Sequence, residues 1–413
     1  MAIALFVRNA QCENRLRYCS IEGTRLQKYQ VTAESSLATL EWVTLTPTSP
    51  NYFLVPKTEV GRTVYEAFWS VQGIFAEGST GIITGRDQLA TAQSEHGLIE
   101  NLEFLRGTAT DQDVGQRFKL QQVEHWSLGD AREAVREEGI QPALLRKLSY
   151  RPFDTRYYYD HDLLVFRRRH KITRHMDGSN VGLAVCRLTK ADAWRHALVT
   201  DKPVDDSFVS DKSKERAYLF PLRLTDDNSQ ENLSADFRAF IDNSYDHHYG
   251  AEEILGYIYA VLHASTYRMR YAEFLLSDFP RIPFPETKAE FDDLAKLGWA
   301  LVQAHLLRQI PRRGLGAYPV QGDHNVEAVR YNSNDEAVWI NETQCFKPVP
   351  QAVWDFHIGG HQVLDKYLKS RKGQTLSLDE INHVSTVADA LAFTIDQMAK
   401  IDEAYRAAFP ERG

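Results

Sequence analysis

Glu252–Leu276 runs EEILGYIYAVLHASTYRMRYAEFLL, and the spacing of its apolar residues reads as strongly helical. Lys288–Leu307 (KAEFDDLAKLGWALVQAHLL) reads the same way, and the three prolines of Asp278–Pro285 (DFPRIPFP) separate the two. The chain has a different character before about residue 250. Between Val181 and Leu222, VGLAVCRL, HALVT, SFVS and AYLFPL are short apolar runs divided by Asp, Lys and Ser, a pattern of strands and loops. After Pro311–Gly316 the chain leans to β again in VEAVRYN, EAVWIN and CFKPVP. Ala352–Ser370 and Leu378–Arg406 return to helix, with Ser377 or Asp379 as the cap of the last one. The class expected is α+β: a mixed, β-containing domain with helical hairpins around and after it, and no complete Rossmann-type catalytic domain.

Toward the N-terminus, Ala2–Val7 (AIALFV) reads as one buried strand. A second strand is expected near Leu16–Ile21, and Leu40–Leu45 precedes a Pro/Ser/Asn break at Pro47–Asn51. Val64–Phe75 (VYEAFWSVQGIF) carries apolar and aromatic residues on a helical spacing until Gly78. Ser127–Lys147 reads as two helical pieces. Ser127 or Asp130 caps the first, Gly139 divides them, and Pro142 suits the first turn of the second. SYRPFDTRYYYD disfavours a helix, and Arg156–Tyr159 reads as a strand with one aromatic face.

Composition narrows the function. The chain has 413 residues, of which 25% are charged and 43% hydrophobic, with a mean hydropathy of −0.41. No run approaches ~18 apolar residues, so no membrane helix is expected. The start lacks the features of a secretory signal. Cys12, Cys19, Cys186 and Cys345 lack disulfide-scaffold or zinc spacing, which suits a reducing cytoplasm. No GxGxxG follows a strand, and GxxxxGK[ST], HExxH and GxSxG are missing, as is the Asn/Asp-Pro-Pro-aromatic motif of amino-methyltransferases. A binding or specificity module fits better than a complete enzyme.

Net charge is −8, from 48 Lys and Arg against 56 Asp and Glu, which argues against indiscriminate polyanion binding over the whole surface. Arg151–Arg174, RPFDTRYYYDHDLLVFRRRHKITR, is the exception. Arg151, Arg156, Arg167, Arg168, Arg169, Lys171 and Arg174 stand against Asp154, Asp160 and Asp162, with Tyr157, Tyr158 and Tyr159 between. Arginine suits phosphate and a bidentate pair to guanine, and lysine suits phosphate as a point charge, so this is the composition of a nucleic-acid face. The plainer reading is a solvated basic surface, with Arg151 and Asp154 bridged across a turn and the tyrosines in the core. Asp278, Glu286 and Lys288 loosely fit a metal nuclease, although they fall between helices. His357 and His361 have a metal-compatible spacing, but Gly359 and Gly360 between them argue for a turn. His247, His248 and His263 have no ligand pattern around them. No catalytic or metal residue is therefore assigned.

YRPFDTRYYY (Tyr150–Tyr159), RHMDGSNVGLAVCR (Arg174–Arg187), YLFPL (Tyr218–Leu222), Glu252–Pro283 and Val353–Ser377 occur in an order that resembles the C-terminal target-recognition (specificity) region of Type ISP restriction–modification enzymes. It is also similar to the C-terminal parts of related adenine methyltransferase–nuclease fusions. AIALFVRN looks like the last strand of a methyltransferase domain, and GIITGRD (Gly81–Asp87) matches a segment just after it.

The resemblance implies sequence-specific reading of double-stranded DNA for an adenine methyltransferase, without catalysis by this chain alone. Its partners would be DNA and a methyltransferase/nuclease domain or subunit, and the membrane has no part. S-adenosylmethionine would belong to the methyltransferase domain, and these residues need no cofactor. The implied organisation is a mixed segment over 1–105, a recognition domain over 106–250, and a helical spacer and packing region over 251–413 with a small β insertion near 320–348. Arg151, Asp154 and Arg156 belong to the family motif whatever the target, so they are expected to hold the fold or grip phosphate. Base readers are expected in Arg167–Arg174, Lys190–Arg195 and Lys202–Lys214. The DNA-contact set is thus Arg151, Arg156, Arg167, Arg168, Arg169, Lys171, Arg174, Arg187 and Lys190.

Overall fold

Gly182–Cys186 (GLAVC) is buried at every position, and its alternate side chains serve two different cores. It is one of the two inner strands of a four-stranded antiparallel sheet. The order is Ser79–Thr80, Ala217–Pro221, Gly182–Cys186, Ala197–Thr200. Continuous apolar runs such as GLAVC and ALVT follow from cover on both faces, because neither set of alternating side chains meets water. Structure is described by a computed structural model for residues 15–47, 52, 54–56, 61–121, 124–212, 215–224, 229–319 and 321–410. The expected strand at Ala2–Val7, with Cys12 and Lys214, lies outside the described residues.

On one face Leu183, Val185, Ala197, Val199 and Phe220 pack against helices Ala251–His263 and Lys288–His305. Thr287 caps the second helix, with Glu290 completing the box. The two helices touch at Gly256 and Gly298, where a Cβ on Gly298 would collide with the Gly256 carbonyl. On the other face Ala184, Cys186, Leu198, Ala217 and Leu219 meet Val338, Phe346, Trp354, Leu364, Leu368 and Leu391. These come from the small sheet Arg330–Asn332, Ala337–Trp339, Cys345–Phe346 and from the tail, which ends in helix Leu378–Ala408, capped by Ser377.

A second sheet orders Thr91–Ala92, Asp154–Tyr159 and Leu145–Arg151, all antiparallel. It closes a separate core with helices Glu95–Arg106 and Leu128–Glu138. The extended segment around Val204–Asp206 stitches the two sheets together. Ser149 N–H donates to Pro203 O at 2.8 Å, Ile82 N–H to Val204 O at 2.8 Å, and Ala217 N–H to Asp206 O at 2.9 Å. All of this belongs to one compact unit, Thr63–Gly413. In the other unit, Met1–Arg62, Leu16–Tyr18 pairs with Val43–Leu45, and helix Arg25–Glu34 buries none of its residues.

Several sequence expectations need correction. The second helical piece of Ser127–Lys147 is a 3-10 turn, Pro142–Leu144, that runs straight into strand Leu145–Arg151. Its partner strand supplies hydrogen bonds that override local helix preference. Val64–Phe75 is not one helix. It breaks at Trp69–Ser70, which pair with Arg281–Ile282, and Ser70 then caps Val71–Ile74. SFVS forms no strand, because Asp205–Phe208 turns and Ser207 N–H donates to Asp205 Oδ1 at 2.9 Å.

Candidate nucleic-acid interface

The hairpin Leu145–Tyr159 sets the frame of the basic segment. Arg151 and Asp154 face each other across its turn as backbone neighbours, yet their side chains pair elsewhere, so the expected bridge between them does not form. Arg151 Nη1 lies 2.7 Å from Asp205 Oδ1, and its guanidinium carbon lies 3.9 Å from the Tyr150 ring centroid. Asp154 Oδ1 lies 3.0 Å from Nη2 of Arg371 in the tail, both nearly fully buried. Arg156 Nε is 3.8 Å from Asp154 Oδ2, and its guanidinium carbon lies 3.7 Å from the centroid of the same Tyr150 ring. Burial pushes the Asp205 carboxyl up to about 6, with Arg151 pulling it back.

At the turn Phe153 adopts φ 58°. Its carbonyl accepts from His383 Nε2 at 2.7 Å, and its ring meets His305 edge-on. Arg151, Asp154 and Arg156 therefore hold the hairpin to its neighbours. Tyr158 and Tyr159 are core residues, and Tyr157 is half-buried.

Past the strand, Asp160 is buried and gripped by Arg146 Nη1 at 3.2 Å and Arg168 Nε at 2.7 Å. Arg168 also reaches Asp162 at 2.6 Å, and these hydrogen bonds hold its guanidinium in the charged form, its pKa raised above the ordinary value. The next residues are pinned to the Gly81–Asp87 motif. Phe166 N–H donates to Thr84 O at 3.1 Å, Arg167 N–H to Ile83 O at 2.9 Å, and Ile83 N–H to Arg167 O at 3.1 Å. Arg169 then takes a left-handed φ of 56° and leads into the short helix His170–Thr173.

This geometry sends Arg167, Lys171 and Arg174 to the surface. Lys171 Nζ lies 2.7 Å from Glu77 Oε1 but remains 75% exposed. Arg174 Nε donates to His175 Nε2 at 3.3 Å. Arg169 is half-buried, and its Nε has no hydrogen-bond partner among the described residues. Beside them sits Asp206. Burial raises its pKa, and Arg216 (3.7 Å away), Arg169 and Arg167 oppose that shift.

Arg187 and Lys190 follow strand Gly182–Cys186 on a different loop, and both are exposed. Arg187 Nε lies 2.9 Å from Asp278 Oδ1 and its guanidinium reaches over Phe279. The structure thus gathers Arg167, Arg169, Lys171 and Arg174 on one rigid turn and spends Arg151, Arg156 and Arg168 on internal carboxylates. Asp205, Asp206, Arg216 and Arg371, which shape this surface from other segments, carry no signal of that role in the sequence. Their roles depend on side-chain partners far along the chain.

The nuclease-like residues have other duties. Asp278 holds Arg187, and Lys288 Nζ holds Asp292 Oδ2 at 2.7 Å. Among the described residues no group of three or more His, Cys, Asp or Glu side chains is placed to hold a metal ion. His357 and His361 sit on a two-strand hairpin turned at Gly359, where φ is 54°. His361 Nε2 lies 3.1 Å from Ser207 O. No helix among the described residues is long and apolar enough to cross a membrane.

A search of curated proteins finds no match. Among solved structures the fold is similar to DrdV in its complex with DNA, at 18% identity and TM-score 0.71, covering 92% of this chain and 42% of that one. It is similar to a nuclease-deletion mutant of the Type ISP restriction-modification enzyme LlaGI in complex with a DNA substrate mimic, at 18% identity and TM-score 0.64, over 91% and 31%. It is also similar to the ATP-dependent Type ISP restriction-modification enzyme LlaBIII bound to DNA, at 16% identity and TM-score 0.69, over 94% and 28%. The chain spans less than half the length of each. The sequence itself matches the Type ISP C-terminal specificity domain over residues 73–400, which is most of its length. The chain belongs to the Type ISP C-terminal specificity domain family.

Proposed function

We propose that this chain recognises duplex DNA as the specificity part of a restriction–modification adenine methyltransferase and is not catalytic alone. The carrying observation is the rigid turn that keeps Arg167, Lys171 and Arg174 exposed in a chain of net charge −8. Family membership and the DNA complexes formed by DrdV, LlaGI and LlaBIII support the reading. Phosphate contacts would fix register, and side chains of the loops Arg167–Arg174, Lys190–Arg195 and Lys202–Lys214 would read base edges in the major groove. Arg151, Arg156 and Arg168 would then act by shaping the surface, since their charges are paired with buried carboxylates. S-adenosylmethionine would bind a methyltransferase domain or subunit that acts with this chain, in the cytoplasm.

The test is DNA binding by the purified chain at low and rising salt. Each neutralised phosphate contributes roughly −0.9 to the slope of log K against log [salt]. Arg174→Ala or Lys171→Ala should flatten the slope by about one, and Arg25→Ala or Lys28→Ala should leave it alone. Equal effects from both pairs would make the segment a plain solvated surface. Methyl transfer from S-adenosylmethionine, or Mg²⁺-dependent plasmid cleavage, by the chain alone would overturn the non-catalytic part.

A further inference from the structure

Phe166 stands apart from every other ring in its unit. Its relative exposure is 59%, and among the described residues of 63–410 it is the one exposed Phe, Tyr or Trp. An exposed aromatic on a mobile loop would mean little. This one sits on fixed backbone. Leu164 and Val165 before it are buried, its own N–H and that of Arg167 are bonded to Thr84 and Ile83, and Arg168 two residues on is clamped by two carboxylates. Gly85 leaves the space beside it. With φ +69° it occupies a conformation that suits glycine, and a Cβ there would lie 3.3 Å from the Phe166 Cβ. The chain therefore holds a large apolar ring out in water, at a standing hydration cost.

What surrounds the ring says what it would meet. The Arg167 guanidinium carbon lies 5.1 Å from its centroid. Arg167, Lys171 and Arg174 are exposed within eight residues of it, and Arg169 follows three residues on. A lone apolar ring on a segment with exposed cations is complementary to a partner whose apolar groups alternate with anionic ones. A nucleobase between phosphates has that form.

We infer that Phe166 is the apolar nucleobase contact of this surface, packing its ring against a thymine methyl edge or an unstacked base face while the neighbouring cations hold phosphate. The inference rests on the DNA reading above and adds to it a residue whose contribution is not electrostatic. Contacts of the two kinds differ in salt dependence. Counterion release belongs to the cations alone, so the ring should add affinity without adding slope.

The experiment measures binding of the full chain to a random-sequence duplex pool across a salt series. Phe166→Ala should weaken binding roughly ten-fold, in the range of base–aromatic contacts, with an unchanged slope. Phe166→Trp should retain most of the affinity, and its added indole fluorescence should be quenched by DNA. The same pool made with uracil in place of thymine locates the contact. Wild-type affinity falling to the Phe166→Ala level marks the methyl edge. Enhanced 2-aminopurine emission with wild type, absent with Phe166→Ala, marks an unstacked face. Thermal unfolding of Phe166→Ala should match wild type, because the ring is exposed. Steep salt-dependent binding by wild type with undiminished affinity in Phe166→Ala would overturn this inference and leave the DNA reading standing. No salt-dependent binding by wild type would overturn both.

Discussion

Asp154 shows how one carboxylate ties the basic segment to the far end of the chain. It is 2% exposed, and the Arg371 guanidinium it holds is 217 residues away. Arg371 also reaches Glu380 Oε1 at 2.7 Å and lies over the Tyr367 ring. Asp154→Ala removes one partner of a buried pair and strands much of the Arg371 charge. The expected loss is about 3 kcal/mol in urea unfolding, at the lower end for buried pairs because Glu380 remains. Breaking an exposed ion pair such as Arg106–Glu103 should leave the urea midpoint close to that of the wild type. Similar losses in both variants would mean that burial confers no special role on Asp154. The motif RPFDTR stood out in the sequence as fixed by the fold, but its partners did not. Arg151 pairs with Asp205, and Asp154 with Arg371, because folding brings closer and better-buried partners than the turn neighbour.

At the scale of elements, the crossing of Ala251–His263 and Lys288–His305 depends on two glycines. Gly256 and Gly298 let the backbones touch, and neither has a φ that demands glycine, so space alone explains them. Gly298→Ala should force the helices apart and cost about 1–3 kcal/mol, read as a lower urea midpoint. Gly139→Ala is a poor control because φ there is 71°, whereas Gly115, with open space and ordinary backbone, should gain or lose little. If Gly298→Ala is as mild as Gly115→Ala, the contact is looser than described. Helix Lys288–His305 was legible from period alone, whereas the helical stretch expected over Glu252–Leu276 breaks at Ala264 and Tyr271 into Ala251–His263, Ser265–Arg270 and Ala272–Leu275. The expected helix over Ala352–Ser370 was not continuous: it is interrupted by the hairpin His357–Ile358/His361–Gln362, with Gly359 pressed against the Val209 carbonyl. The Gly-Gly pair marked the turn, but only the neighbouring segment explains why it is so tight.

Over the whole molecule, the four-stranded sheet depends on cover from both sides. Cutting the chain after residue 350 removes Trp354, Leu364, Leu368 and Leu391 from the core that covers Ala184, Leu198 and Leu219. The shortened chain should expose that face and aggregate, as scored by light scattering. A soluble, cooperatively folded product would show that the tail is dispensable.

The same interior predicts acid sensitivity. His196 and His361 are lowered to about 4, and His305 to about 3, all chiefly by burial. His196 Nδ1 accepts the Arg195 N–H, so its proton sits on Nε2 toward Thr189 and Glu215. Each folded pKa lies below the unfolded value near 6.5, so the unfolded chain takes up protons first as pH falls. Stability should be full above about pH 6.5 and decline from there to about 3. A flat unfolding midpoint across that window would contradict neutral, buried histidines.

The sequence by itself determined the α+β class, the long helices, the inner strands and the charge contrast of Arg151–Arg174. These follow from period, apolar run length and local composition, which neighbouring residues carry. The ordered motifs from Tyr150 to Ser377 also indicated the family. Tertiary structure alone decided which cations stay exposed. Arg151, Arg156 and Arg168 are spent on Asp205, Asp154 and Asp160, while Arg167, Lys171 and Arg174 reach the surface. It also decided that Leu145–Arg151 is a strand and that Phe166 points outward from a fixed turn. The reason is physical: a charge or a ring has the same identity in the sequence wherever it sits. Its solvation depends on partners that folding brings from distant positions.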